Sequence, residues 1–212
     1  MEPEALILDM DGLMVDSEPL WWSVERTLAE GHGLVWTDEM AELCIGTGLP
    51  NTITTMQELL GLELGVDEGV GWLVQAFVSR VGELELMAGC RELLDAASGA
   101  GLPIALASSS TQRLIDVVLS HFGLTERFDA IVSGEAVPVA KPAPDIFLLA
   151  AKLLAVAPER CVVLEDSLAG VTAARAGAIP VIAVPEREPA AFERLTDTIV
   201  TDLHQARRLL GL

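Results

Sequence analysis

The chain has 212 residues, 51% of them hydrophobic, and a formal charge of −19 from 32 acidic and 13 basic side chains. That length holds one large α/β domain or a core with a small insertion, and so acidic a surface repels nucleic acid and anionic membranes, and a phosphorylated substrate too unless a local cation reverses the field. Cys44, Cys90 and Cys161 are odd in number and far apart, which predicts free thiols in a reducing cytoplasm, and even the apolar run 147–157 is broken by Lys152, well short of a membrane span.

The first predicted strand is ALIL (5–8), which drives directly into Asp9, Asp11, Asp16 and Glu18. Carboxylates at the mouth of an apolar strand repel one another and lose hydration, so a metal ion or a reaction must compensate them. From residue 17 to about 88 no strand is predicted, only helical segments over 18–31, 38–46, 51–61 and 66–84. All four tryptophans (21, 22, 36 and 72) lie there. This reads as a helical insertion, residues 17–85, between core segments 1–16 and 86–212. Trp36 and Trp72 are expected in its core. Trp21 and Trp22, being adjacent, cannot share one helix face, so one is expected to face a cleft.

Beyond the insertion, apolar runs at 102–107, 128–133, 161–165, 180–184 and 198–201 alternate with helical segments at 91–101, 111–123, 144–156 and 167–178, while 186–194 reads as a surface loop. Strands apolar throughout and separated by helices predict a doubly wound, Rossmann-like parallel sheet covered on both faces.

In such sheets ligands bind beyond the carboxyl ends of the strands. There the chain gathers Asp9 and Asp11, then Ser108, Ser109 and Ser110, then Lys141, then Glu165 and Asp166. Carboxylates without His or Cys suit Mg²⁺. Asp9 is a candidate nucleophile, Asp11 a candidate acid and base, and Ser108 and Lys141 candidate phosphate-binding groups. Gly12 gives the backbone freedom to turn and a substrate room to approach. Ser109 and Ser110 read first as a helix cap, Ser109 also as a backbone contact to phosphate. Ser17, Glu18 and Pro19 read equally as a helix start and as a substrate contact. His32, His121 and His204 receive no catalytic role.

Four segments, DMDGLMVDSEP (9–19), LASSS (106–110), AKPAPDIF (140–147) and LEDSLAG (164–170), resemble in content and order the motifs of the haloacid dehalogenase superfamily, in its phosphatase and β-phosphoglucomutase-like branch. The resemblance implies Asp9 as nucleophile, Asp11 as general acid/base, Ser108 and Lys141 on phosphate, and Mg²⁺ held by Asp9, the Asp11 carbonyl and Asp166 with Glu165 near or ligating. It also implies a helical cap that closes over the core. Keeping Asp11 and Asp166 points to phosphate rather than halide chemistry.

Both phosphatases and sugar phosphomutases share these motifs. A mutase must also hold a second phosphate, yet the insertion carries only Arg26, Arg80 and His32 as basic residues, and no lysine. Where relatives of this branch usually place an arginine, this chain has Gly48, Leu49 and Pro50. Trp21 stands where mutases carry a histidine. The expectation is therefore a monomeric phosphatase of a small sugar or polyol phosphate, with Glu18, Trp21 and Gly48 as substrate contacts. A β-phosphoglucomutase-type mutase is the alternative, and a non-catalytic phosphate-binding protein the second.

Overall fold

The computed structural model describes residues 3–212, which divide into two compact units, the described residues up to Asp16 with Glu85–Leu212, and Ser17–Leu84. In the first unit five parallel strands, β1 (Ala5–Leu8), β4 (Ile104–Ser108), β5 (Ala130–Ser133), β6 (Cys161–Glu165) and β7 (Val181–Ala183), form one sheet in the order β5-β4-β1-β6-β7. The order follows from register: Leu6 lies opposite Ile104 on one side and Val162 on the other. Every residue of β1, β4 and β6 is buried, as expected of strands with helices on both faces. The chain leaves β1 first towards β4 and later, in the opposite direction, towards β6. The reversal puts a topological switch point at the carboxyl ends of these three strands.

The covering helices are α5 (Cys90–Gly99), α6 (Gln112–Phe122), α7 (Asp145–Leu153), α8 (Leu168–Ala176) and α9 (Leu203–Leu210). Helix α7 turns Ile146, Phe147, Ala150 and Ala151 inward, a three-to-four-residue spacing that packs Phe147 against a core containing Ile7, Ala105 and Val163. Burying such an aromatic contributes about 2 kcal/mol relative to exposure.

Several expectations need correction. Residues 198–201 form no strand; Ile199 makes a single bridge to Ala183. A ribbon of β2 (Val15–Asp16) and β3 (Glu85–Leu86) pairs antiparallel where no strand was predicted, because two residues carry no readable alternation. The predicted loop 186–194 contains a 3₁₀ turn, Pro189–Phe192, that buries Phe192. Helix α9 was not predicted, although Asp202 accepts from the Gln205 N–H and Gly211 ends it in the left-handed region.

The second unit contains α1 (Glu18–Gly31), α2 (Asp38–Glu42), α3 (Leu49–Leu60) and α4 (Val66–Ser79). Helix α1 buries Leu20, Val24 and Leu28 along one stripe, and with them a carboxyl group, Glu25, which accepts a 3.0 Å hydrogen bond from Trp36 Nε1. Gly69 of α4 lies so close to α3 that a Cβ there would come within 2.6 Å of Ile53 Cδ1. Trp36 is buried as expected. Trp72 is 39% exposed and is not a core residue, because its helix turns Leu73, Val74 and Phe77 inward instead. Helix α2 stops at Glu42 rather than running to 46. No described helix is long and apolar enough to cross a membrane.

Candidate active site

Asp9 follows directly on β1, and its N–H donates to the Leu164 carbonyl, tying the end of β1 to β6. The chain then turns tightly: Gly12 has φ +77° and donates to the Val15 carbonyl. A Cβ at Gly12 would run into the Asp166 carboxylate, so only glycine allows both the turn and the approach of Asp166.

Lys141 is the hub. Its Nζ donates to Asp9 Oδ1 at 2.6 Å, Glu165 Oε1 at 2.7 Å and the Ala107 carbonyl at 3.3 Å, and it lies 4.8 Å from the centre of the Phe147 ring. The side chains of Lys141, Asp9 and Glu165 are 6%, 8% and 1% exposed, so this is a desolvated ion-pair network rather than a surface one. The Lys141–Pro142 peptide is cis. Glu165 Oε2 accepts from both N–H and Oγ of Ser167, which leaves each of its oxygens engaged. Gly170 makes room for it, since a Cβ there would overlap the Glu165 carboxylate.

Asp9, Glu165 and Asp166 offer oxygens that lie within 4.8 Å of one another. Three carboxylates thus face one ammonium. Burial pushes Asp9 up to about 7, against the pull of Lys141 and with the repulsion of Glu165 and Asp11. Burial likewise raises Asp166, and the charges of Glu165 and Asp9 add to it. Burial disfavours the Lys141 ammonium, but Asp9 and Glu165 together outweigh it and hold the lysine above its usual range. The cluster has more negative charge than its lysine can balance, and its donors are all oxygen. A hard divalent cation such as Mg²⁺ fits both features.

The end of β4 supplies hydroxyls. Ser108, almost fully buried, donates to Asp11 Oδ2 at 3.3 Å, and Ser110 donates to the same oxygen at 2.8 Å. The helix-cap expectation for Ser109 and Ser110 is corrected: Thr111 caps α6 by accepting from the Leu114 N–H, and Ser109 is exposed. Ser110, gathered with Ser108 at the strand ends but read first as a cap, bonds Asp11 instead, a role that its place two residues beyond Ser108 could have signalled. The structure therefore brings together Asp9, Asp11, Gly12, Ser108, Lys141, Glu165 and Asp166 in one unit.

Glu18, Trp21 and Gly48 belong to the other unit. Glu18 opens α1 with Pro19 in its first turn, while Ser17, though buried, makes no side-chain cap. The Trp21 ring stacks on Phe77 at 4.1 Å between centroids, so this tryptophan is partly committed to packing. Gly48 is exposed, with φ +85°, at the start of α3.

Known proteins resemble the chain over most of its length. The chain is 33% identical to hexitol phosphatase B of Escherichia coli over 98% of its length and 96% of that protein's. It is also 33% identical to a phosphorylated carbohydrates phosphatase of Thermotoga maritima over 83% of its length and 82% of that protein's. The crystal structure of β-phosphoglucomutase from Clostridium difficile superposes with a TM-score of 0.81 at 25% identity, covering 97% of this chain and 93% of that one. The haloacid dehalogenase-like hydrolase pattern matches residues 6–184, from the first strand through the last, and the chain belongs to that family.

Proposed function

We propose that the chain is a phosphoric monoester hydrolase that releases phosphate from a small sugar or polyol phosphate through an aspartyl-phosphate on Asp9. The observation that carries the reading is the Asp9, Lys141, Glu165 and Asp166 cluster at the switch point, with Asp11 and Ser108 beside it. Asp9 attacks phosphorus through a carboxylate oxygen while the bond from phosphorus to the ester oxygen breaks. Asp11 gives its proton to that oxygen, and the alcohol leaves. Asp11 then takes a proton from water as the water attacks phosphorus, which frees inorganic phosphate and restores Asp9. Lys141 holds Asp9 and is placed to neutralise phosphoryl oxygens, and Ser108 adds a hydroxyl donor. Asp9, the Asp11 carbonyl and Asp166, with Glu165 beside them, would hold Mg²⁺, which supplies charge neutralisation for the transferring group. We assign Glu165 chiefly to anchoring Lys141, since both its oxygens are engaged.

The unit Ser17–Leu84 is assigned the role of a helical cap that selects the substrate, with Glu18, Trp21 and Gly48 as contacts. Its own chemistry favours a monophosphate. Arg26 pairs with Asp38 at 2.5 Å, Arg80 makes a two-pronged pair with Glu83 and a further bond to Ser23, and His32 Nδ1 bonds the Leu28 carbonyl. The basic groups that a bisphosphate would need are thus already engaged. Relatives that are hexitol and carbohydrate phosphatases support the same substrate class. The buried free thiols Cys44, Cys90 and Cys161 suit a cytoplasmic protein.

The test is phosphate release from a panel of hexitol, hexose and glycerol phosphates, with Mg²⁺ and with EDTA, for the wild-type protein and Asp9→Asn. Release that requires both Mg²⁺ and Asp9 supports the reading. Interconversion of β-glucose 1-phosphate and glucose 6-phosphate under a bisphosphate primer, without net release, would replace it with a mutase.

A further inference from the structure

We infer that Ser110 is a positioning residue that holds the Asp11 carboxyl for proton transfer to the leaving oxygen; the inference rests on the role of Asp11 proposed above. Two serine hydroxyls converge on one oxygen, Asp11 Oδ2, and the shorter bond, 2.8 Å against 3.3 Å, comes from Ser110 rather than Ser108. Oδ1 accepts neither of them. The carboxyl group is thereby fixed from one side with its other oxygen left for the reacting atoms.

The turn that carries Ser110 is built to hold it there. Its N–H donates to Ser108 Oγ at 3.0 Å and its carbonyl accepts from the Gly134 N–H at 3.3 Å. Gly134 approaches so closely that a Cβ on it would come within 2.6 Å of the Ser109 carbonyl oxygen, which clamps the turn between β4 and the segment after β5. Thr111 takes over the capping of α6, so the Ser110 hydroxyl has no helix N–H to serve. A hydroxyl both donates and accepts, so it can donate to the Asp11 carboxylate and accept from the Asp11 acid. It can keep the side chain in one place through both halves of the reaction, in which Asp11 first gives a proton to the ester oxygen and then takes one from water.

Such a role has a signature that a packing role lacks. An alkoxide needs a proton to leave, whereas p-nitrophenolate leaves without one, so misplacing the acid slows phosphoryl transfer to Asp9 from the alkyl ester alone. The constant kcat/KM reads that half of the reaction, because the later attack of water, common to both esters, does not enter it. The experiment compares kcat/KM for glycerol phosphate and p-nitrophenyl phosphate in the wild type, Ser110→Ala and Ser110→Thr. Taking the ratio of the two rates within each preparation cancels the fraction of folded protein. Ser110→Ala should lower kcat/KM on glycerol phosphate roughly tenfold or more and that on p-nitrophenyl phosphate by less than about twofold, and Ser110→Thr should restore the ratio. An unchanged ratio in Ser110→Ala, or an equal loss on both esters, in a wild-type background that is active, overturns the positioning role alone. A wild-type protein silent on both esters overturns this inference together with the phosphatase reading.

Discussion

Glu25 is an acid buried in the core of the Ser17–Leu84 unit, and replacing it with glutamine should remove most of the pH dependence of that unit's stability. Its carboxyl is 4% exposed, its Oε2 accepts from Trp36 Nε1, and burial raises it from 4.5 to about 7 in spite of that bond. Below 4.5 the group is neutral whether the chain is folded or not, and its contribution is fully present. Between 4.5 and about 7 the unfolded chain gives up the proton while the folded chain keeps it, so stability falls as pH rises; above that it falls no further. At about 1.4 kcal/mol per unit the loss is at most about 3 to 4 kcal/mol. Glutamine still offers an oxygen to Trp36 and has no charge to lose. The assay is urea unfolding followed by tryptophan fluorescence, which isolates this unit because all four tryptophans lie between residues 17 and 84 and the chain has no tyrosine. Wild type should lose stability between about pH 4.5 and about pH 7 while Glu25→Gln stays nearly level. Parallel profiles for the two proteins would refute the argument from burial.

Lys141→Met should cost about 3 kcal/mol in Mg²⁺-free chemical denaturation, because Asp9 and Glu165 are left buried without their ammonium. Gly12→Ala should leave the far-UV circular dichroism unchanged but lower phosphate release about a hundredfold, since the new methyl group displaces Asp166. Asp166→Asn should weaken Mg²⁺ binding in calorimetry at least roughly tenfold, while Gly170→Ala, which presses on Glu165 instead, should reduce turnover more than Mg²⁺ affinity.

Much of the candidate cluster was legible because Asp9, Ser108 and Glu165 directly follow or end an apolar run. Once Ala5–Leu8, Ile104–Ser108 and Cys161–Glu165 are read as parallel strands, Asp9, Ser108 and Glu165 must meet at one edge. What the sequence concealed depends on side chains meeting across long separations. The pairing of Val15–Asp16 with Glu85–Leu86 joins residues some seventy positions apart through two residues each, too few to show a period. Burial of Glu25 is hidden because an acid on a helix reads as solvent-facing until the stripe of Leu20, Val24 and Leu28 is seen to include it. Trp72 misled in the opposite direction: its bulk suggested the core, but its position on α4 lies off the face that carries Leu73 and Phe77. Ser110 looked like a cap until Thr111 was found in that role.

The account stands most directly on Asp9 as the atom donor to phosphorus. Rapid acid quench of the Mg²⁺-loaded wild-type protein during turnover of a hexitol phosphate, followed by peptide mass spectrometry, should find a phosphoryl group on Asp9 and none in Asp9→Asn. Full turnover with no phosphoryl group on Asp9 at any quench time, or turnover that survives Asp9→Asn, would contradict it.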